Sequence, residues 1–170
     1  MRRVLPALLF LAACHGSREN LRVELTWATA QPDLDLHVLA SQDAEMWDPE
    51  LDQHYCTSTV DLDWGAPGPD GDPHSEIDDR GGFGPEVIVV QRPVDVLLPV
   101  WVHYFSRGGS EGPERATVTI WSGDELVHEA QQDIDYNEVW EVGAFDATAG
   151  LFEPADTPLT ESSRRQCIEN

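Results

Sequence analysis

The chain has 170 residues, with ten arginines and no lysine against 32 Asp and Glu residues, so its formal net charge at pH 7 is −22. Nucleic acid is bound through clustered basic side chains, and this composition therefore excludes a nucleic-acid-binding protein. The length predicts a single domain, with or without tails, that is large enough to bury a core of its own.

The N-terminus has the pattern of a bacterial lipoprotein signal. Arg2 and Arg3 precede an apolar run, residues 4–11, that is too short to span a bilayer, and two alanines then lead to Cys14. This arrangement resembles the lipobox, which implies that residues 1–13 are a signal peptide. It also implies that Cys14 is lipidated at the start of a short tether, residues 14–20. The alternative is an ordinary secretory leader that contains a cysteine, and under either interpretation the protein leaves the cytosol.

The residue after the cysteine bears on the choice of membrane. His15 stands where enterobacterial lipoproteins retained at the inner membrane carry Asp, so this resemblance favours the outer membrane. The lipid then makes the membrane contact, and multi-chain lipidation anchors a protein far more firmly than a single acyl group.

Two further cysteines, Cys56 and Cys167, form an even pair once Cys14 carries lipid. Extracytoplasmic compartments permit disulfides, so we expect a bridge that ties the C-terminus to the middle of the domain. Two free thiols are the alternative, because the sequence alone does not show that the two Cα atoms lie close enough for a bridge.

The chain between residues 21 and 145 alternates between short apolar strands and turns. Apolar side chains occur at every second position from Leu21 to Trp27, which is typical of a half-buried strand. Gly123-Asp124 is a candidate two-residue hairpin turn. Pro93 and Pro99 predict that the strand over residues 94–105 lies at an edge of its sheet or is interrupted. The predicted strands are 21–27, 34–39, 87–91, 94–105, 116–121, 125–131 and 139–145.

These strands predict an all-β fold, an antiparallel β-sandwich of the immunoglobulin-like or jelly-roll-like kind over residues 21–145. No segment combines an apolar 3.6-residue repeat with caps at both ends, so we expect few and short helices. Residues 146–170 contain Pro, Thr and Ser and are weakly apolar. They are predicted to form a loose C-terminal tail unless Cys167 pins them.

A long segment from Ser41 to Pro85 is rich in Asp, Gly and Pro and has no clear periodicity. Connections of this length are usually functional or disordered, and we interpret this one as functional. Mixed carboxylates and glycines suit Ca²⁺, which takes six to eight oxygen ligands in flexible geometry. A solvated acidic loop is the alternative, and the pattern is not that of an EF-hand. The acids expected to converge on calcium are Asp33, Asp35, Asp63, Asp72, Asp78, Asp79 and Glu86.

Two histidines fall in predicted strands near acidic or aromatic residues. His37 shares a strand face with Asp33 and Asp35, and His103 shares one with Trp101 and Phe105. A zinc site of His and Asp ligands is one interpretation. A hydrogen-bonded histidine in a sheet is the simpler interpretation, and we prefer it for both residues.

The sequence assigns no catalytic residues. Ser58, Ser75 and Ser106 lie in no Gly-x-Ser-x-Gly elbow, and the sequence has no His-Glu-x-x-His motif and no glycine-rich phosphate loop, so we do not expect an enzyme. Glycoside hydrolases use a pair of carboxylates, and this sequence has many, so its residue types do not exclude a glycan-active hydrolase. Trp47 and Trp64 lie in the predicted loop and are candidates for stacking on a sugar, whereas the four other tryptophans lie in predicted strands and are expected in the core.

A series of short motifs runs along the chain: Leu-Thr-Trp (25–27), Asp-Leu-Asp-Leu-His (33–37), Cys56, Asp-Trp-Gly (63–65), Asp-Pro (72–73), Ile-Asp-Asp (77–79), Gly-Phe-Gly-Pro-Glu (82–86), Val-His-Tyr-Phe (102–105) and Ala-Thr-Val (116–118). In this order they resemble a family of bacterial extracytoplasmic β-sandwich domains of uncharacterised function. The resemblance covers about residues 21–145, and it implies the fold and the compartment but no chemistry. His74-Ser75-Glu76, in place of a shorter neutral segment, and the extension 146–170 depart from the family pattern.

Together these features predict an envelope lipoprotein with a calcium-stabilised β-sandwich, acting as a binding or structural module for a protein or glycan partner. The alternative is a small periplasmic hydrolase or a carbohydrate-binding module. Substitution of Asp78 and Asp79 separates these hypotheses, because it lowers stability under the first and only turnover under the second.

The lipid anchor is tested by the substitution Cys14→Ser. We expect the variant to move from the membrane fraction to the soluble fraction, or to remain unprocessed, because the attachment sulfur is missing. Fractionation and intact-mass measurement of the wild-type and variant proteins check this. Unchanged membrane fractionation together with unchanged mass would contradict a lipid on Cys14.

The disulfide is tested by alkylation of the folded protein with and without reductant, followed by intact-mass analysis. We expect Cys56 and Cys167 to react only after reduction. A bridge closing so long a loop contributes about 2–4 kcal/mol on the usual entropic account, so reduction should also lower the melting temperature. Rapid alkylation of both thiols without reductant would exclude the bridge.

Overall fold

The computed structural model describes residues 19–65, 67–79, 82–93 and 95–162. In these ranges the chain forms β-strands and one short 3-10 turn, Tyr55–Thr57, and contains no helix that is long and apolar enough to cross a membrane. The strands are β1 Leu21–Trp27, β2 Asp33–Leu39, β3 Asp52–Gln53, β4 Pro73–Ile77, β5 Glu86–Val90, β6 Leu97–Ser106, β7 Glu114–Ser122, β8 Glu125–Ile134, β9 Glu138–Asp146, β10 Leu151–Pro154 and β11 Thr160–Glu161.

The strands form two antiparallel sheets that pack face to face, so the predicted β-sandwich is confirmed. One sheet has the order β4-β5-β1-β7-β8, and the other has the order β10-β9-β6-β2-β3 with β11 also paired to β9. The β4 and β5 edge of the first sheet lies beside β2 of the second. Loops near this edge therefore join residues from both layers.

The core lies between the two sheets and is built by alternation along the strands. In β1 the side chains of Leu21, Val23, Leu25 and Trp27 are buried, while the intervening residues are only half-buried. Full burial of such an aliphatic side chain contributes about 1.5–3 kcal/mol. Tyr104 is the largest fully buried side chain. The same core includes Leu34, Leu36, Val38, Val90, Val100, Val102, Val118, Ile120, Ile134 and Phe145.

The predicted hairpin between β7 and β8 is confirmed. Ser122 pairs with Glu125, so Gly123 and Asp124 form the two-residue turn. Gly123 has a φ of +58°, a left-handed conformation that two-residue hairpins require and that glycine adopts at little cost.

The prediction that prolines place the strand 94–105 at an edge is wrong, because β6 lies between β9 and β2. Pro99 pairs with Ala144 of β9, but pairing with β2 extends only as far as Val100, which faces Val38. Pro99 therefore lies just past the last residue pair between β2 and β6, where the backbone N–H that proline lacks is not needed for that ladder.

The tail after residue 145, expected to be loose unless Cys167 pins it, is ordered in the part that the structure describes. The chain turns back after β9 and adds β10 along the same strand, with Phe152 opposite Phe145, and β11 then pairs with Val139 and Glu138. Apolar burial explains this, since Phe152 and Leu159 pack against the core. The long acidic segment likewise contains ordered elements, β3 and β4, that its sequence does not predict.

Strand β2 is buried at every position from Leu34 to Leu39, on both of its faces. Leu34, Leu36 and Val38 point into the core. Asp35 and His37 alternate with them and point away from it, yet they are buried too, because Trp47 packs over this side of the sheet and Asp52, from the neighbouring strand β3, contacts His37. The acidic segment thus covers a polar face of the sandwich.

The close approach of β10 to β9 is tested by Gly143→Ala. Gly143 has a φ of +146°, and a Cβ at this position would overlap the carbonyl oxygen of Glu153 and lie 2.7 Å from the ring of Phe152. We expect a loss of about 1–3 kcal/mol in the free energy of unfolding, measured by chemical denaturation. Gly150→Ala is the control, since Gly150 also has positive φ but has open space around its Cα. An equal loss in both variants would exclude the steric account.

Candidate metal centre

The outward faces of β2 and β6 bring two histidines and a carboxylate together. Asp35 lies directly opposite His103 in the register of the two strands, and His37 lies two residues further along β2, on the same face as Asp35. Asp35 is 3% exposed, and both histidines are fully buried. One ligand atom from each residue lies within 4.8 Å of the other two, so this trio could hold a metal ion.

A second layer of polar residues from the covering segment contacts this trio. His37 Nδ1 lies 2.8 Å from Asp52 Oδ2, and His54 Nδ1 lies 3.3 Å from the same oxygen. Asp52 is fully buried, and its backbone oxygen accepts a hydrogen bond of 2.8 Å from the hydroxyl of Thr57. His37, Asp52 and His54 form a second group that could hold a metal ion.

Trp47 covers the histidines. Its ring makes edge-on contacts with those of His37, His54 and His103, at centroid distances of 4.5, 5.1 and 5.2 Å. Its backbone has a φ of +71°, which is uncommon for a large aromatic residue, and its N–H donates a 2.6 Å hydrogen bond to Asp52 Oδ2. Such a strained conformation persists only where surrounding contacts fix it, so the cover is a defined part of the centre.

A group of carboxylates lies at the edge of β2, next to the histidines. Asp33, Asp35 and Glu86 have ligand atoms within 4.8 Å of one another. Glu86 Oε2 accepts a hydrogen bond of 2.7 Å from the backbone N–H of Leu36, which fixes the start of β5 against β2. A cavity of about 10 Å³ adjoins this group and is lined by Glu86, Asp78, His54 and Ser75, among other residues. It has room for a single water molecule or ion.

Burial keeps the imidazoles of His37 and His54 neutral. Loss of solvent lowers the pKa of His37 to about 3, although the charge of Asp35 opposes this change. Loss of solvent also lowers the pKa of His54 to about 4, with a further contribution from His37. At neutral pH both rings therefore carry a lone pair, which is the form that binds metal ions.

The pKa values of Asp52 and Glu86 shift in the opposite direction. Burial raises the pKa of Asp52 to about 7, even though His54 and the N–H of Trp47 lower it. Burial, followed by the charge of Asp35, raises the pKa of Glu86 well above its usual range, against the effect of the hydrogen bond from Leu36. Both groups would be favoured in the ionised form by a nearby cation.

Several buried polar atoms of the centre have no hydrogen-bond partner among the described residues. They are both ring nitrogens of His103, Nε2 of His37, Oδ1 of Asp52 and Oε1 of Glu86. Leaving a buried polar group without a partner costs about 1–3 kcal/mol. Such a concentration of atoms without partners in one place is the pattern that a bound ion or water would explain.

The structure brings together three of the seven acids predicted to bind calcium, Asp33, Asp35 and Glu86. Asp78 lies nearby, because it lines the same cavity as Glu86 and its charge contributes to the raised pKa of Glu86.

The other three acids lie outside the candidate metal groups of the described residues. Asp63 is exposed, and Asp72 accepts a hydrogen bond from the N–H of Trp64. Asp79 packs against Gly82.

The structure brings Asp35, His37 and His103 together in one group, which the preferred interpretation of the sequence does not predict. That interpretation placed His37 and His103 in separate hydrogen-bonded settings, and it did not include Asp52 or His54. Asp52 and His54 are two residues apart, which is the one sign in the sequence that their side chains lie on the same side of the chain. The segment has no periodicity that would show which face of the sheet it covers.

The two candidate sugar-binding tryptophans have other roles. Trp47 is 9% exposed and occupied by the histidine contacts, so it offers no platform for a sugar ring. Trp64 is half-buried, packs against the core and donates a hydrogen bond of 2.8 Å from Nε1 to the backbone oxygen of Glu50.

The cysteine predictions are only partly within reach of the structure. Cys56 lies in the 3-10 turn beside His54, whereas Cys14 and Cys167 lie outside the described residues. Lipidation of Cys14 and the bridge from Cys56 to Cys167 therefore stay predictions.

We find no protein-family model and no solved structure that matches this chain. The family resemblance of the sequence motifs therefore stays an expectation.

Proposed function

We propose that this chain is an extracytoplasmic lipoprotein, anchored to the bacterial envelope through Cys14, whose β-sandwich is a binding or structural module. Its acidic segment is held on the sandwich by calcium, and a protein or glycan is its partner. Support for the compartment comes from the signal-like N-terminus, and support for a module comes from the sandwich architecture, which is common in extracellular recognition. The outer membrane is the favoured location.

The observation that carries the calcium proposal is the convergence of Asp33, Asp35 and Glu86. Because three ligand atoms lie within 4.8 Å of one another, a point exists that is at most about 2.8 Å from each of them. Calcium–oxygen distances are about 2.3–2.6 Å, so only small side-chain movements are needed to bind the ion. Water and backbone carbonyls would complete the coordination.

The second support is the state of Glu86. Its side chain is 4% exposed, and its Oε1 has no hydrogen-bond partner among the described residues. Two carboxylates about 5 Å apart at an effective dielectric constant of about 20 repel by about 3 kcal/mol. A divalent cation removes this repulsion and gives the buried oxygen a ligand.

The location of this site suggests a structural role for the ion. Asp33 and Asp35 belong to β2 in one sheet, and Glu86 opens β5 in the other. Calcium at this point joins the two layers where the acidic segment ends. It therefore stabilises the surface that this segment forms, as expected for a module that presents a fixed face to a partner.

Calcium binding is tested by thermal unfolding of the full chain in detergent, with calcium or with sodium chloride at matched ionic strength. A ligand at a hundredfold excess over its Kd stabilises the folded state by about 2.7 kcal/mol. We expect the melting temperature to rise by about 5–10 °C with calcium and to fall again with chelator. Sodium chloride is the necessary control, because screening stabilises any protein with this net charge.

Glu86→Gln assigns the response to the site. The amide oxygen still accepts the hydrogen bond from Leu36, but the negative charge is lost, so the calcium response should disappear. Asp63→Asn is the matched control, since it also removes one negative charge, but from an exposed position in the acidic segment that lies outside the three candidate metal groups. A full response from sodium chloride, or an unchanged calcium response in Glu86→Gln, would contradict the proposal.

A further inference from the structure

We infer that Asp35, His37 and His103 form a second metal centre, specific for a transition-metal ion of the zinc class. This centre goes beyond the proposed calcium site, from which it differs in donor atoms and in ion. The two sites share Asp35 but are otherwise built from different residues.

The unpartnered nitrogen atoms are the first support. His103 is fully buried, and neither of its ring nitrogens has a hydrogen-bond partner among the described residues, with Nδ1 3.9 Å from Asp35 Oδ2. His37 is also fully buried, and its Nε2 has no partner. A histidine whose role is to pack in a sheet would satisfy at least one nitrogen, whereas here three of four nitrogens remain available.

The donor chemistry selects the ion. Two imidazole nitrogens and one carboxylate oxygen are a typical ligand set for Zn²⁺ and related divalent transition metals. Calcium and magnesium bind oxygen ligands and have little affinity for imidazole. The nitrogen-rich trio and the carboxylate group at the edge of β2 therefore attract different ions although they lie side by side.

The surroundings of His37 are those of a metal-bound histidine. Its Nδ1 is paired with Asp52 Oδ2 at 2.8 Å, which leaves Nε2 as the free donor atom. Metal-binding histidines almost always make such a second contact with a carboxylate or carbonyl, because it fixes the tautomer and the ring orientation. Asp52 is in turn held by the backbone N–H of Trp47.

The distances allow an ion to bind with modest adjustment. Ligand atoms within 4.8 Å of one another define a point at most about 2.8 Å from all three, compared with zinc–ligand distances of about 2.0–2.2 Å. Each side chain therefore moves inward by less than about 1 Å. Since β2 and β6 are paired at these residues, the backbone already holds Asp35 opposite His103.

The neighbouring group of His37, Asp52 and His54 is the less suitable site. Its donor atoms already contact one another or the backbone, with His54 Nδ1 3.1 Å from the backbone oxygen of Asp52. An ion there would displace the hydrogen bonds that hold the covering segment. Asp52 and His54 instead support the centre from outside the ligand set.

Zinc binding is measured on the full chain in detergent, stripped with chelator and titrated with Zn²⁺ against a competing chelating dye. We expect one zinc per chain to bind in the presence of excess calcium. His103→Gln should weaken binding at least about a hundredfold, and Asp52→Asn, which leaves all three ligands in place but weakens the contact that orients His37, about 10–100-fold. Two variants should bind as the wild type does: His74→Gln, which removes an exposed histidine, and Glu86→Gln, which removes the calcium ligand.

Nitrogen NMR of the wild-type protein gives a second measurement that needs no variant to fold. Stoichiometric zinc should shift the ring nitrogen signals of His37 and His103 and leave those of His74 and His128 unchanged. Absence of these shifts, failure to bind one zinc, or wild-type affinity in His103→Gln would overturn the inference. Loss of the calcium response in Glu86→Gln with zinc binding retained shows that the two sites stand or fall separately.

Discussion

Burial of the polar face of β2 is the constraint on which the candidate site depends. A strand that carries Leu34, Leu36 and Val38 on one face must pack that face in the core, and the period of two then commits Asp35 and His37 to the other face. That face is covered rather than solvated, so each of its polar atoms needs a partner. Asp52 contacts a ring nitrogen of His37, and Trp47, whose φ is positive, packs on that ring. Glu86 accepts a hydrogen bond from the backbone N–H of Leu36 in the same strand.

Much of the sandwich could be predicted from the sequence, because period-two alternation reports burial on a single strand. It identified β1, the two faces of β2 and the hairpin at Gly123-Asp124. Alternation does not predict features that depend on neighbouring strands. Pro99 is tolerated in a central strand because the pairing between β2 and β6 ends at the next residue, Val100. Phe152 packs beside β9 because Gly143 has no side chain there. Single-strand patterns contain no information about such pairings.

The candidate site was predictable only in part, for the same reason. Asp33, Asp35 and His37 stand together on one strand, and their shared face is visible in the sequence. Glu86 and His103 reach them through pairings between segments some fifty or more residues apart. Asp52 and His54 come from a segment without periodicity, and Asp63, Asp72 and Asp79 look as acidic as the acids that converge. Charge density alone therefore overstates the number of acids that converge, and it does not show which imidazole nitrogens lie beside them.

The position of β1 has a consequence for how the chain folds. Leu21 pairs with Val90 on one side and with Ser122 on the other, so the first strand of the sandwich lies in the middle of its sheet and waits for partners from much later in the chain. Such non-local pairing makes folding slow, because loop closure costs entropy before any contact is gained. The first sheet cannot be completed until β7 is available to pair with β1. Until then one edge of β1 is unpaired, and an unpaired strand edge is a template for pairing with another chain, so completion of this sheet also limits aggregation.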